Sequence, residues 1–377
     1  MSLPARRLGN RPGLTGLRAV AIAIVVARHA GEVSSPAATA FAFGFAGVDI
    51  FFVLSGFLIT SLLIGEWSRT EAISLRQFYV RRALRLLPAL FAFLLVLLLF
   101  VHFQPERARR GLLEAAGLSA LFLGNIAKTL HWVFPLPHMW SLGMEEQFYL
   151  VWPITLLVLL VVGARRTVVI GVALAGAIAV TAVRVVLAAT GSASSVTLFY
   201  SPLHSDGLLI GCALGLAYAW RLIPSPESVR RVLTPAVAAA AVVFLVVAVR
   251  GAPYSTWGMT VGLSVIALAS GVFVYAAIDD QPVWPLRFLT WQPVTYLGEI
   301  SYALYIWHFP VLYLWPTNKL LVEGRVAVAV VCAVLSYELI EKPFLRRKPG
   351  HTPDAAERDS ALGPMVVEPS QAQSAGG

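Results

Sequence analysis

The first apolar segment of the chain decides the fold: residues 15–30 read TGLRAVAIAIVVARHA. The run is apolar enough for a membrane-spanning helix, yet it contains Arg18 and, near its end, His29. Eleven residues at about 100° each return to within about 20° of the starting direction and rise about 16 Å, so both side chains share one helix face at two depths. Ionisable side chains inside a membrane are costly and generally face an internal cavity. The alternative is that each reaches a lipid interface and has no chemical role.

The composition extends the membrane interpretation to the whole chain. Of the 377 residues, 58% are hydrophobic and 13% are charged, and the mean hydropathy is +0.75. An ordinary soluble fold of this length needs more polar surface. We therefore predict an all-α integral membrane protein whose roughly ten transmembrane helices enclose a polar channel. The candidate spans are 14–32, 44–65, 83–103, 145–163, 167–189, 204–222, 233–250, 258–278, 298–316 and 325–341.

One further apolar stretch, 111–126, is ambiguous, and the basic residues decide whether it crosses. If it does not cross and the N-terminus is cytoplasmic, 19 of the 29 lysines and arginines lie on the cytoplasmic side and 7 outside. If it crosses, 12 lie inside and 14 outside. The first arrangement obeys the positive-inside rule, so we expect 111–126 to be re-entrant or interfacial and both termini to be cytoplasmic.

Three regions are predicted along the chain: a cytoplasmic N-terminus at 1–13, a transmembrane domain at 14–347 and a disordered cytoplasmic tail at 348–377. The net charge of +9 follows from cytoplasmic loops beside anionic lipid, and we predict no nucleic-acid partner. Cys212 and Cys332 both fall within spans, and the sequence implies neither a disulfide framework nor a metal site.

Histidines and carboxylates are predicted to gather near the outer face. Besides His29, they are Asp49, His138, Glu145, Glu146, His204 and Asp206. A carboxylate beside an imidazole orients the ring and stabilises its protonated form, which makes a base for a hydroxyl proton. We therefore expect His29 to be the base, supported by Glu145, Glu146 or Asp49. Taken singly, each acid can instead cap a helix or lie at the positive end of its dipole.

Arg81, Arg82 and Arg85 lie at the cytoplasmic entrance of the third span. Arg81 and Arg85 are one helical turn apart, and such arginine forks suit phosphate oxygens. Together with Arg18 they are predicted to bind a phosphate-bearing donor. The alternative is an ordinary positively charged membrane anchor.

The ninth span carries Ser301, Tyr305 and His308 at spacings of four and three, so these residues line one stripe that should face the interior. The hydroxyls of Ser301 and Tyr305 can hold a carbonyl oxygen or simply join helices. For His308 we expect a packing role.

Several of these segments together resemble the acyltransferase-three family of integral-membrane O-acyltransferases, which includes O-antigen and peptidoglycan acetylases and macrolide-sugar acyltransferases. The matching segments run in order between residues 14 and 347. They are GLR at 16–18 with His29, GVDIFFVLSGFLI at 47–59, RRALRLLP at 81–88, HMWSLGMEEQFY at 138–149, ISYALYIWH at 300–308 and EKPF at 341–344. One small departure is Gly143 and Met144, where relatives often have Ser and Val.

The resemblance implies a ten-helix domain in the cell membrane that transfers an acyl group, acetyl by expectation, from cytoplasmic acyl-CoA to a hydroxyl of a carbohydrate or a glycosylated small molecule. It also implies that Arg18 and His29 are essential. In the expected mechanism the arginines bind CoA, His29 accepts the hydroxyl proton, and Ser301, Tyr305 or an arginine stabilises the oxyanion. An acyl-histidine intermediate is a variant. The rival interpretation is a transporter or flippase of lipid-linked sugars, although the chain has no self-similar halves.

Overall fold

The computed structural model describes residues 6, 8–9, 11–34, 44–130, 135–250, 255–314 and 321–346. Within these ranges the chain is helical and contains no strand, so the predicted all-α class is confirmed. The predicted tail at 348–377 lies outside the described residues. The α-helices are α1 (Pro12–Ser34), α2 (Phe45–Thr70), α3 (Leu75–Val101), α4 (Glu106–Ala120), α5 (Gly124–Thr129), α6 (Met139–Val161), α7 (Arg166–Ala189), α8 (Ser195–Tyr200), α9 (Asp206–Ala219), α10 (Arg230–Arg250), α11 (Leu263–Ala277), α12 (Gln292–Glu299), α13 (Ser301–Tyr313), α14 (Val322–Ser336) and α15 (Lys342–Arg346).

Seven of the described helical segments are long and apolar enough to cross a membrane. They are α1, α2, α3, α6, α7, the segment Pro226–Arg250 that contains α10, and the segment Gly258–Ala277 that contains α11. Three other predicted spans correspond to shorter helices, since α9, α13 and α14 have 14, 13 and 15 residues. The chain is therefore a multi-pass helical protein by length and composition. The count of ten spans and the side of each terminus stay predictions.

Two helices begin well before the predicted spans. α3 begins at Leu75, where the Ser74 hydroxyl accepts a hydrogen bond from the Gln77 N–H at 3.4 Å, and α6 begins at Met139. The hydropathy of the sequence predicted both helix starts too late. Polar residues that face other helices lower the mean hydropathy, but they do not end the helix. Glu145 and Glu146 consequently lie about two turns inside α6, and their interpretation as first-turn residues at the helix dipole is wrong.

Close helix packing builds the centre of the protein. α2 and α9 approach so tightly that a Cβ atom at Gly56 would collide with the Leu208 carbonyl oxygen, and one at Gly211 with that of Val53. α1 packs against α2, α12 and α13, with Gly16 directly against the Leu289 backbone. This packing brings the histidine-bearing face of α1 beside α13.

Candidate active site

His29 lies in the wall of a cavity of about 310 Å³ at the end of α1. Its half-buried ring lies edge-on to Phe309, with ring centroids 5.4 Å apart, and edge-on to Tyr313 at 6.3 Å. The same cavity is lined by Arg28 and Glu32, which form an ion pair at 2.7 Å. The histidine of α1 therefore faces an internal cavity, which excludes a ring surrounded only by lipid.

The hydrogen bonds of His308 determine which nitrogen of His29 is basic. His308 Nδ1 lies 3.1 Å from the Leu304 carbonyl oxygen, so Nδ1 carries the proton and Nε2 is the acceptor in the neutral ring. That Nε2 lies 3.2 Å from His29 Nδ1, which is also 3.1 Å from the Val25 carbonyl oxygen. Both neighbours accept, so His29 Nδ1 must donate. The lone pair of His29 is therefore on Nε2, the nitrogen that neither contact uses.

The predicted support of His29 by Glu145 or Glu146 is not found. Glu145 accepts a hydrogen bond from Ser55 at 2.5 Å, and Glu146 is paired with Arg82 at 3.1 Å. Among the described residues no carboxylate lies within ion-pairing distance of His29. The physical reason is the early start of α6. The first residues of this helix lie at the cavity, and both glutamates lie about two turns further along it.

Among the other acids of the predicted outer-face group, Asp49 does meet a histidine, but that histidine is His204 and not His29, and Asp206 has a buried partner of its own. Asp49 lies 3.0 Å from His204 Nε2, and both side chains are fully buried. Asp206 receives two hydrogen bonds from the buried Arg184, at 3.0 and 2.6 Å. Pairing of this kind satisfies the hydrogen-bonding and charge requirements of acids buried within the helix bundle. Asp49 is therefore paired with His204 and not with His29.

A second polar cluster lies deeper along the same helices. Arg18 donates from Nε and Nη2 to the Ser301 hydroxyl at 3.2 and 3.0 Å. Arg82 stacks on Tyr149, 3.6 Å from the ring centroid, besides its pairing with Glu146. The predicted arginine fork is divided: Arg81 reaches Glu66 at 3.4 Å, whereas in the described chain Arg85 has no carboxylate within ion-pairing distance.

Tyr305 lies between the two levels. Its hydroxyl donates to the His138 carbonyl oxygen at 2.6 Å and lies 2.6 Å from Ser141 Oγ, which must then be the donor of that second bond. Ser301 precedes His308 by seven residues, which is about 10 Å of helix rise. The oxyanion role predicted for these two hydroxyls therefore does not fit: Ser301 is at the level of Arg18, and the single proton of Tyr305 is already donated.

Comparison with known proteins supplies the family. The family model described as an acyltransferase domain matches residues 11–337. The chain belongs to the acyltransferase-three family. It is 32% identical over 358 residues to the peptidoglycan O-acetyltransferase OatA of Listeria monocytogenes, covering 88% of this chain and 55% of the relative. It is 30% identical over 360 residues to the O-acetyltransferase OatA of Staphylococcus aureus, covering 89% of this chain and 57% of the relative.

The chain spans about half the length of the curated relatives it matches. No solved structure matches it. The resemblance predicted from the sequence motifs is confirmed by the family match.

Two histidines near His29 are absent from the catalytic residues that the sequence predicts. His308 was assigned to packing, although the predicted stripe with Ser301 and Tyr305 already indicated that it faces inward. His138 is predicted to lie in the outer-face group but without a role of its own; it is only 3% exposed, lines the cavity, and stacks on Phe309 at 4.9 Å. The available signal was its position as the first residue of the HMWSLGMEEQFY segment, directly before the start of α6 at Met139.

The rim of the cavity combines aromatic rings with one lysine. Lys128 of α5 lies with its Nζ 5.0 Å from the ring centroid of Tyr200, and burial lowers the pKa of this ammonium group. Trp140 and Phe199 line the same side. Rings and polar groups in one cavity are suited to a polar organic ligand such as a sugar. Within the described residues no group of three or more histidines, cysteines and acids is arranged to hold a metal ion.

Proposed function

We propose that this acyltransferase transfers an acetyl group from cytoplasmic acetyl-CoA to a hydroxyl of a cell-envelope carbohydrate at the outer side of the cell membrane. The observation that carries the proposal is His29, whose unprotonated nitrogen is left free beside the cavity by the His308 and Val25 contacts. The printed names of the two OatA relatives support O-acetyl transfer, and that of the Listeria protein supports peptidoglycan as the acceptor.

The donor would enter from the opposite level of the helix bundle. Arg18 lies on the His29 face of α1, about 16 Å below it, and Arg82 and Arg85 belong to the adjacent cluster. Guanidinium groups suit the phosphates of CoA, and a flexible pantetheine arm can carry the thioester toward His29. In this proposal Arg81 is peripheral, because it is paired with Glu66. Glu145 and Glu146 orient the arginine cluster, and Asp49 holds His204.

The reaction at His29 is a direct transfer. The acceptor hydroxyl oxygen attacks the thioester carbonyl carbon while His29 Nε2 takes the hydroxyl proton. The tetrahedral intermediate then expels the CoA thiolate, which receives that proton from the His29 imidazolium. A hydroxyl ester and free CoA result. An acyl-histidine intermediate would instead place the acetyl group on Nε2 first and release CoA before the acceptor binds.

The proposal is tested with the detergent-solubilised full-length protein, acetyl-CoA and soluble peptidoglycan fragments. His29→Ala should lower kcat at least about 100-fold, because a general base contributes roughly that much or more. His102→Ala is the matched control, since His102 is an exposed histidine at the end of α3. The readouts are CoA release and the mass gained by the glycan. Near-normal turnover in His29→Ala contradicts the role of His29.

The same assay separates the rival function. A flippase of lipid-linked sugars would move its substrate across proteoliposomes without consuming acetyl-CoA. Wild-type protein that moves a lipid-linked sugar but releases no CoA with any peptidoglycan fragment would contradict the proposed function.

A further inference from the structure

The attack on an acyl carbonyl needs a hydrogen-bond donor that neither Ser301 nor Tyr305 supplies. Negative charge develops on the carbonyl oxygen as the tetrahedral intermediate forms, and removing one positioned donor for such an oxygen typically costs about 10²–10³ in rate. The donor must lie in the wall of the cavity near His29, and its proton must not already be committed. Arg28 in that wall has several N–H groups, but its guanidinium is held by Glu32, which lies one turn further along α1 than Arg28. Lys128 is directed to the face of the Tyr200 ring.

His138 meets both conditions. Its side chain is almost fully buried and lines the cavity. The Ile306 backbone lies near the ring, but neither ring nitrogen makes a hydrogen bond of good geometry with any described residue. A neutral imidazole always carries one N–H group. Leaving a buried polar group unpaired destabilises a folded protein, so such groups in native proteins require an explanation.

The surroundings hold this ring in a fixed position next to the base. It stacks on Phe309 with an interplanar angle of 16°, while the His29 ring lies edge-on to the same Phe309. The His308 ring lies 5.5 Å from that of His138 and 5.1 Å from that of His29. The Tyr305 hydroxyl holds the His138 backbone. The donor is thus positioned before any ligand binds, as electrostatic stabilisation requires.

We propose that His138 is a further catalytic residue that donates its ring N–H to the carbonyl oxygen of the acetyl group under attack. The inference rests on the proposed function. As the hydroxyl oxygen bonds to the carbonyl carbon, its proton passes to His29 and the carbonyl π electrons move to the oxygen that His138 contacts. Re-formation of the carbonyl double bond breaks the carbon–sulfur bond, and the proton returns from His29 to the CoA thiolate. His138 keeps its own proton throughout.

Two substitutions separate hydrogen bonding from packing. His138→Phe keeps an aromatic ring against Phe309 but removes the N–H, and His138→Asn keeps a donor of similar reach but removes the ring. With acetyl-CoA and soluble peptidoglycan fragments, His138→Phe should lower kcat about 100-fold with KM for the acceptor nearly unchanged. His138→Asn should stay within about tenfold of wild type. His102→Phe, at an exposed histidine, is the control and should match wild type.

Two outcomes contradict the inference: normal kcat in His138→Phe, or an equal loss in both variants, which would indicate a packing role only. Size-exclusion chromatography and thermal unfolding in detergent are measured for each variant, so that loss of folded protein is distinguished from loss of turnover. If His138→Phe is unfolded, His138→Gln replaces it, and a kcat below one-tenth of wild type in folded His138→Gln overturns the inference. Normal turnover in His29→Ala would contradict the proposed function, whereas normal turnover in His138→Phe contradicts this inference alone.

Discussion

At the residue scale, the contact between His29 and His308 gives the two ring nitrogens of His29 different roles. Nδ1 donates a hydrogen bond, and Nε2 keeps its lone pair. Because His308 must donate from Nδ1 to a backbone carbonyl, its Nε2 can only accept, and it accepts from His29. One carbonyl oxygen in α13 therefore determines which ring nitrogen of His29 carries the proton, and no carboxylate is needed. In the proposed mechanism His308 is therefore a positioning residue for His29.

This arrangement predicts the effect of His308→Phe. The phenyl ring fills similar space but accepts no hydrogen bond, so His29 retains only the Val25 carbonyl to fix its tautomer. We expect kcat to fall about tenfold, which corresponds to about 1.4 kcal/mol, with KM for the acceptor unchanged. CoA release at saturating acceptor measures it. His308→Gln, whose amide oxygen can accept, should recover part of the loss; equal activity in wild type and His308→Phe would contradict the positioning role.

At the element scale, the contact between α2 and α9 depends on glycines that let the two backbones touch. Gly56 of α2 lies against the Leu208 carbonyl, and both Phe57 and Leu208 are buried at this contact. In membranes such small residues are the main means of close helix approach, because lipid provides no hydrophobic force between helices.

Gly56→Ala should therefore destabilise the protein by about 1–3 kcal/mol, since the added methyl group forces the helices apart. The measurement is the apparent melting temperature in detergent. Gly65→Ala is the matched control, because Gly65 lies on the same helix and a Cβ there would meet no atom within 4 Å. Equal melting temperatures for the two variants would contradict this prediction, because the helices could then move apart without loss of stability.

The start of α6 shows how far element boundaries can be predicted from the sequence. Hydropathy detects the apolar part of a span, so it assigned 145 as the start and put Glu145 at the outer surface. The observed start at Met139 moves that residue about two turns inward, to Ser55. The existence and order of the long helices could be predicted from apolar periodicity. The start of α6 could not, because a helix segment with a buried polar face has the same low hydropathy as a loop.

At the scale of the whole molecule, a buried charge network joins three helices. Arg184 of α7 is bound by Asp206 of α9 and by Ser264 of α11, with distances of 2.6–3.0 Å. Arg184→Ala should lower the free energy of unfolding by about 3–5 kcal/mol, because it leaves the Asp206 carboxylate buried without a counter-charge. Thermal unfolding in detergent gives the difference.

The double variant Arg184→Met with Asp206→Leu should recover most of that loss, since it removes both charges and keeps the volume. Arg109→Ala, in the exposed pair with Glu106, is the control and should cost less than about 1 kcal/mol. A double variant as unstable as Arg184→Ala would contradict the uncompensated charge as the cause.

A second whole-molecule prediction concerns acid stability outside the spans. Burial raises the pKa of the Asp279 carboxyl, but the Arg230 guanidinium and the Gln281 N–H bind it and lower the pKa below its usual value. A lowered pKa means that this stabilisation is present above about pH 3.9, the usual aspartate value, and is lost as the pH falls through the folded-state pKa.

Asp279→Asn should therefore lower the melting temperature at neutral pH by an amount equivalent to about 0.5–1 kcal/mol, as expected for a partly exposed pair. The difference from wild type should shrink as the pH falls below about 4. Melting temperatures of both proteins over a pH series in detergent provide the measurement. A difference that grows toward acid pH would contradict the assignment.

The amino-acid sequence by itself determined that this chain is helical and membrane-spanning, that Arg18 and His29 share one face of α1, and that its motifs are those of an acyltransferase. These properties follow from apolar runs, helical periodicity and short motifs, which are local. Only the tertiary structure decided the partners: Glu145 with Ser55, Asp49 with His204, and His308 and His138 around His29. Partners of this kind depend on the axial register of helices distant in the sequence, and that register is set by packing contacts such as those of Gly56 and Gly211.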